Sequence, residues 1–263
     1  MRKMKSATII VAFILFVKGG SEALPNQDIA KDLLEKVSET YKSSSSYHFE
    51  GTVTSETKSP VVQSKIEAPF VLAAIKPDRI RVEVKSPAMG LEILSITSGR
   101  TTWEYLFPQR QFTKKESKAT YAENELYSRM WAVALGVMLP QFEYTERLVK
   151  AKILSEESVE ISNTSRSCYV IEAEYDSSDS RPSGGTSHKT LWVDKERYVV
   201  LKEVATNKMT WAALGGPAEM IFVTTFNVSK LNEPLPDALF IFTPPDGAKE
   251  VKQFNAPQKR KTN

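Results

Sequence analysis

The sequence predicts a mainly β fold of the α+β class, in which helices cover the concave side of one curved antiparallel sheet. Three observations support this class. Apolar and polar residues alternate with a period of two over many short segments. One segment near the start and another in the middle instead show helical patterns. An open sheet of about ten strands curls, so helices can fill its concave side.

The first 23 residues have the features of a cleaved secretory signal peptide. Arg2, Lys3 and Lys5 precede an apolar run, Ala7–Val17, and small residues flank Glu22 at the expected cleavage site after Ala23. As a helix, that run of eleven residues would span about 16 Å, roughly half of a bilayer's hydrocarbon core. This length favours a signal peptide over a membrane anchor. We therefore expect a soluble mature protein outside the cytoplasm.

A helix is predicted for residues 28–42, directly after the mature N-terminus. Ile29, Leu33, Val37 and Tyr41 recur every four residues and form one apolar face. Asp28 stands at the N-terminal end, where the helix dipole favours a negative charge. The serine run that follows, residues 43–46, is expected to end the helix.

The period then changes to two, which predicts strands with one apolar and one polar face. Such half-buried strands are typical of antiparallel sheets. The clearest alternating apolar sets are Tyr47, Phe49 and Val53; Ile80, Val82 and Val84; and Trp103, Tyr105 and Phe107. Further strands are predicted over 70–75, 91–97, 151–154, 167–176, 189–194, 198–206 and 219–229.

The strand series is interrupted by a predicted helix over residues 120–139, whose second half is apolar nearly all round. Loops are predicted over 177–187 and 207–217, where small, polar and glycine residues cluster. We therefore expect one domain over residues 24–256, followed by a basic flexible tail, 257–263.

The charge distribution argues against nucleic-acid binding. The net charge of +3 comes from the two ends of the chain, because residues 1–23 carry +3 and the tail a further +3. The body between them is therefore slightly acidic, whereas a phosphate binder carries its basic surface on the folded domain.

No motif for catalysis, metal binding or nucleotide binding is present in the sequence. His48 and His188 have no partner at metal-ligand spacing, and Cys168 is the single cysteine. We therefore expect no catalytic residue, no metal site and no cofactor. An enzyme would require turnover that depends on one of the two histidines.

Four motifs, in order along the chain, resemble the LolA-like periplasmic carriers of outer-membrane lipoproteins and their superfamily of lipid-binding half-barrels. The first is the opening strand at Tyr47–Phe49, and the second is a basic-Pro motif at Lys76–Val82. The third is a turn followed by W-x-Y at Ser98–Tyr105, and the fourth is an F-x-F-x-P-P-x-G ending at Phe240–Ala248. The chain departs from the family pattern at Ser98, where Asp is usual, and at Lys76, where Arg is frequent.

The resemblance implies an incomplete β-barrel whose concave side binds acyl chains under a helical lid. On this basis, the expected apolar cavity residues are Phe70, Leu72, Ile80, Val82, Val84, Trp103 and Tyr105. The lid is expected in the first helix and in residues 121–139. Its candidate residues are Met130, Trp131, Leu135, Met138 and Lys76, the last as a latch.

The implied function is that of a periplasmic carrier that binds lipoprotein or lipid acyl chains and transfers them toward the outer membrane. An inner-membrane donor complex and an outer-membrane acceptor would be its partners, and we expect a monomer. The sequence leaves open an alternative from the same fold: a module that binds free lipid or senses envelope stress. Residues 115–150 match the family little, which leaves room for a different cargo.

Overall fold

The computed structural model describes residues 26–86, 91–116, 144–176, 186–211 and 215–254. They contain one long helix, α1 (Asn26–Ser43), and twelve strands that form a single sheet. The strands are β1 (Ser46–Lys58), β2 (Gln63–Ile75), β3 (Arg79–Ser86), β4 (Leu91–Ser98), β5 (Thr101–Leu106), β6 (Gln111–Glu116), β7 (Leu148–Ile161), β8 (Thr164–Asp176), β9 (Thr186–Asp194), β10 (Val200–Trp211), β11 (Gly216–Leu231) and β12 (Lys249–Glu250).

The sheet is open, because its two edge strands do not pair with each other. Its order is β12-β6-β5-β4-β3-β2-β1-β11-β10-β9-β8-β7. All neighbours are antiparallel except β12 and β6, which pair in parallel. The predicted class, a mainly β fold built on one antiparallel sheet that stays open as an incomplete barrel, is confirmed.

Helix α1 lies across one half of the sheet. Its apolar stripe is buried at Leu33, Val37 and Tyr41, as their spacing predicted, but Ile29, the first residue of the predicted stripe, is 40% exposed. At its start, the Asn26 side-chain amide exchanges two hydrogen bonds of 3.1 Å with the backbone of Ile153 on the edge strand β7. At its other end, the Lys76 ammonium donates to the last helical carbonyls. Eighteen residues extend about 27 Å, which is the width of about six strands.

We call the side of the sheet that carries α1 the inner face. Its core joins the helix stripe to alternate residues of the strands, including Phe49, Leu72, Val82 and Leu191. Gly51 is required on this face, because a Cβ there would stand 2.1 Å from the carbonyl oxygen of Thr225.

The opposite, outer face of β3–β6 is covered by residues 236–254, which we call the C-terminal strap. A 3-10 turn, Asp237–Phe240, packs against β3 and β4. Phe242 then lies against Trp103, Tyr105 and Phe112, with ring centroids 5.3–6.4 Å apart. The backbone N–H of Val251 donates to the Phe112 carbonyl, which fixes the strap to the sheet edge.

Two predicted boundaries are wrong. Residues 207–211 and 216–217 belong to strands rather than to a loop: β10 continues to Trp211 and β11 begins at Gly216, and these two residues pair. Thr186 and Ser187 likewise belong to β9 rather than to the preceding loop. The polar side chains suggested exposed turns, but Ser187 and Asn207 are buried and hydrogen-bond each other at 3.0 Å. The predicted helix at 120–139, the signal peptide and the tail lie outside the described residues.

Candidate functional site

Five of the seven predicted cavity residues share one apolar surface on the inner face. Strand pairing places Leu72 opposite Val82 and Phe70 opposite Val84, with Ile80 next along the same face of β3. All five are at most 5% exposed and belong to the core cluster. They lie on β2 and β3, at and beyond the end of α1. The surface therefore extends past the part of the sheet that the helix reaches.

Aromatic side chains form the deepest part of this surface. Phe226 makes edge contacts with both Phe49 and Phe70, at centroid distances of 5.5 and 5.8 Å. The rings meet over Gly51, where Phe70 lies 3.0 Å from the position of an added Cβ. Phe49 and Phe226 were not among the predicted site residues. Their alternation within β1 and β11 marked them as core residues but could not mark them as ligand contacts.

Trp103 and Tyr105 do not share this face. Trp103 pairs with Ile96, and Tyr105 pairs with Leu94. Ile96 and Leu94 flank Ser95, which pairs with Val82 and therefore lies on the inner face. Both aromatic side chains therefore lie on the outer face, where Phe242 of the C-terminal strap packs against them. Their grouping with Val82 assumed that the apolar side of every strand faces inward. In β5 the apolar side faces the strap.

Part of the inner face of β4–β6 is polar, which the sequence analysis did not anticipate, although Ile93 and Leu106 continue the apolar core beside it. Glu104 is 1% exposed and its Oε2 accepts hydrogen bonds from Thr113 at 3.2 Å and from Lys115 at 3.1 Å. The hydroxyls of Thr97 and Thr102 lie 2.9 Å apart in the same region. The available signal was the alternation of Thr102 and Glu104 with the two aromatic residues of β5.

Lys76, the predicted latch, contacts the first helix. Its Nζ donates to the carbonyl oxygens of Tyr41 at 3.0 Å and Lys42 at 2.9 Å. A cation is favourable there, because the helix dipole and the unpaired carbonyls both attract it. The other predicted lid residues, Met130, Trp131, Leu135 and Met138, lie outside the described residues, so their role stays a prediction.

A buried ion pair lies on the inner face beneath α1. Lys189 Nζ and Glu203 Oε1 are 2.8 Å apart on adjacent strands, and both side chains are less than 10% exposed. Burial, together with the charge of Glu203, raises the pKa of Tyr175 and of Tyr41 well above the usual range of a phenol. Both tyrosines are therefore neutral hydrogen-bonding groups. Tyr41 Oη accepts from the Val200 N–H at 3.0 Å.

A separate cavity of about 400 Å³ opens at the β7 edge. Its lining is charged, with Lys150, Lys152, Glu172, Glu174 and His188. The shortest ion pair there, 2.6 Å, joins Lys150 to Glu174. This lining does not suit an acyl chain, because hydrocarbon would desolvate paired charges without replacing their interactions.

The two histidines occupy different strands and have different partners. His48 Nε2 lies 3.0 Å from Glu50 on β1, and His188 Nδ1 lies 4.0 Å from Glu174. No group of three or more potential metal ligands is found within the described ranges. Among the same residues, no helix has the length and hydropathy needed to cross a bilayer.

A comparison with curated proteins found no match. Among solved structures, the chain is similar to the lipoprotein LppX of Mycobacterium tuberculosis, with 14% identity, a TM-score of 0.43, and coverage of 80% of this chain and 98% of that one. It is also similar to a LolA superfamily protein of Nitrosomonas europaea, with 16% identity, a TM-score of 0.31, and coverage of 81% and 97%. These similarities include the group that the sequence motifs resemble.

One family model matches residues 30–253, from the first turn of α1 to the end of the C-terminal strap. The match includes the inner-face surface and the strap contacts of Phe242 and Val251. Its description assigns the protein to the periplasm, the compartment that the resemblance implied. The chain belongs to the family described as Predicted periplasmic protein (DUF2092).

Proposed function

We propose that the protein binds the hydrocarbon chains of a lipid or of a lipid-modified protein on its inner face and carries them through the periplasm. One observation carries the proposal. The apolar surface formed by Phe70, Leu72, Ile80, Val82 and Val84 continues across strands that lie beyond the reach of α1. Because these side chains are at most 5% exposed, hydrocarbon would reach them only when the groups that cover them move away.

The energetics of acyl burial suggest how release must work. Each buried methylene contributes about 0.8 kcal/mol, so a chain of about sixteen carbons could gain roughly 12 kcal/mol in a fully closed cavity. A carrier that bound this tightly would not release its cargo. We propose that the movable cover over the inner face sets the affinity, with α1 as one part and the predicted lid residues as the other.

Helix α1 is suited to this role because polar contacts hold its two ends. Asn26 attaches its start to β7, and Lys76 holds its end. Hydrogen bonds of this kind contribute about 1 kcal/mol each and can break without disturbing the sheet. We propose that opening breaks the contact at Lys76, where the helix borders the apolar surface, while the Asn26 contact acts as a hinge.

The resemblance to the lipoprotein carriers suggests the finer assignment. We propose acylated lipoproteins as the cargo, an inner-membrane complex as donor, an outer-membrane protein as acceptor, and a monomeric, non-catalytic carrier. The second candidate is a module that binds free lipid or senses envelope stress. It is favoured by the polar inner face around Glu104, which suits a lipid head group better than a bare acyl chain.

Mass spectrometry of protein purified gently from its native periplasm tests the proposal. Bound N-acylated cysteinyl proteins would support the lipoprotein carrier, and free phospholipid or glycolipid the second candidate. In parallel, Val82→Glu should abolish the bound lipid, whereas Val71→Glu, on the outer face of the neighbouring strand, should retain it. Should Val82→Glu fail to fold, Val82→Thr gives the same test with a smaller change. Lipid retained in folded Val82 variants would contradict the proposed site.

A further inference from the structure

The strongest unexplained feature is a pair of buried oxygen atoms on the inner face of β4 and β5. Glu104 Oε1 has no hydrogen-bond partner, although Glu104 is 1% exposed. Ser95 Oγ also has none, and Ser95 is 3% exposed. A buried polar atom left without a partner costs about 1–3 kcal/mol. Two of them on neighbouring strands therefore call for an explanation in terms of a bound group.

The two residues occupy one site, because the strand register places them side by side. Ser95 pairs with Glu104 across β4 and β5, and Glu104 pairs with Thr113 across β5 and β6. On its other side, Ser95 pairs with Val82, one of the apolar residues of the proposed acyl site. Val82 and Glu104 are separated by two inter-strand spacings, or about 10 Å. The apolar and polar surfaces are thus neighbours within the length of one lipid molecule.

The chemistry of the site selects hydrogen-bond donors. A carboxylate only accepts hydrogen bonds, and Glu104 Oε2 already accepts them from Thr113 and Lys115. The remaining oxygen therefore requires an N–H or O–H group. The Lys115 ammonium balances the carboxylate charge, so the incoming donor can be a neutral hydroxyl or an ammonium group. A bare hydrocarbon chain would leave both oxygens unpaired.

We propose that the cargo is an amphiphile whose hydrogen-bond-donating polar group binds at Glu104 and Ser95, while its hydrocarbon lies along Phe70, Leu72 and Val82. This inference rests on the proposed function and names the class of its substrate. The donor is an ammonium group, as in ethanolamine lipids, or a hydroxyl, as in glycerol lipids.

Three lipids that share the same acyl chains separate these outcomes. Delipidated mature protein is titrated with dioleoyl phosphatidylethanolamine, dioleoyl phosphatidylglycerol and dioleoyl phosphatidylcholine in detergent micelles. The first carries ammonium donors, the second hydroxyl donors, and the third none on its head group. We expect one of the donor lipids to bind about 10-fold more tightly than the choline lipid, because a hydrogen bond to a charged group contributes about 1.5–3 kcal/mol.

Two variants test whether Glu104 and Ser95 cause the preference for a donor lipid. Ser95→Ala removes a buried hydroxyl that has no partner in the structure, so the empty protein should be at least as stable as the native one, and Glu104→Gln replaces the acceptor by a group that also donates. Both should reduce the preference toward unity, chiefly by weakening the binding of the donor lipid. Ser86→Ala is the matched control, because Ser86 Oγ is also buried without a partner but lies at the far end of β3.

The outcomes distinguish this inference from the function on which it rests. Equal affinity for all three lipids would overturn the polar subsite and leave acyl-chain binding intact, with the two oxygens solvated by water. A preference unchanged in Ser95→Ala and Glu104→Gln would place head-group recognition elsewhere and would also overturn it. Failure to bind any of the three lipids would overturn this inference, and the proposed function would fall with it if the protein from the native periplasm also carried no acylated protein.

Discussion

Lys76 Nζ lies 3.0 Å from the carbonyl oxygen of Tyr41, so a lysine just beyond β2 caps the end of the helix that crosses the inner face. Lys76→Met keeps the aliphatic length and removes the charge. We expect a loss of about 1–2 kcal/mol in the free energy of unfolding, because two carbonyls lose a charged donor. Urea unfolding measures this, with Lys58→Met, an exposed lysine in a surface ion pair, as the control.

The same variant tests the latch. If the contact at Lys76 holds the end of α1 in place beside the acyl site, Lys76→Met should release bound lipid faster, whereas Lys76→Arg should behave nearly as the native protein. Equal release rates for all three proteins would show that Lys76 stabilises the helix without controlling access.

Gly51→Ala should destabilise the protein strongly. The added methyl would meet the Thr225 carbonyl at 2.1 Å and the Phe70 ring at 3.0 Å, and the backbone oxygen cannot move without breaking sheet pairing. Overpacking of this kind costs roughly 1–3 kcal/mol or more. Thermal unfolding should show the loss, and Thr52→Ala on the outer face of the same strand should change stability by about 0.5 kcal/mol or less. A native-like melting temperature for Gly51→Ala would contradict the close approach of β1 and β11.

The Lys189–Glu203 pair should show strong coupling. Replacing either partner alone, as in Lys189→Met or Glu203→Leu, leaves the remaining charge buried without the opposite charge. This should lower the free energy of unfolding by about 3–5 kcal/mol. The double variant should cost much less than the sum, because both charges are removed together. A double-mutant cycle in urea measures the coupling free energy. Additive losses would mean that the two side chains do not interact.

The Cys168 thiol should give the protein a stability that declines at alkaline pH. Burial, with a smaller effect from the nearby Asp194 carboxylate, raises the pKa of Cys168 from 9.0 to about 11. Between these values the unfolded chain loses the thiol proton while the folded chain keeps it, so the unfolded state gains stability as the pH rises. The contribution of Cys168 to the free energy of unfolding is therefore complete below pH 9 and is lost as the pH approaches 11.

A comparison with Cys168→Ala isolates this effect, since other groups titrate in the same range. The free energy of unfolding should fall more steeply with pH in the native protein than in the variant. The buried thiol should also react with an alkylating reagent far more slowly in the folded than in the unfolded chain. Parallel pH profiles of the two proteins would contradict the raised pKa.

The sequence predicts the faces of a strand correctly where the apolar side of that strand lies on the inner face. Ile80, Val82 and Val84 alternate with charged residues, and they do lie on the inner face. The face of β5 could not be assigned in this way. Trp103 and Tyr105 pack against Phe242, which lies far along the chain, and a local pattern contains no information about such a partner.

For the same reason the polar part of the candidate site was missed. Glu104 and Thr113 look like ordinary solvent-facing positions, because alternating polar residues are usually exposed. Their burial depends on the sheet register, which places Ser95, Glu104 and Thr113 side by side. Register is set by long-range pairing and by the strap on the outer face, and neither is visible in a single strand.

The most direct test of the central claim is to map where a bound acyl chain contacts the protein. A phospholipid with a photoreactive group in the middle of one chain is bound to the delipidated protein, irradiated, and the modified residues are identified by mass spectrometry. The account predicts saturable labelling on the inner face, at Phe70, Leu72, Val82 or Val84, which excess unlabelled lipid suppresses. Labelling concentrated on outer-face residues such as Trp103, or labelling that does not saturate, would contradict it.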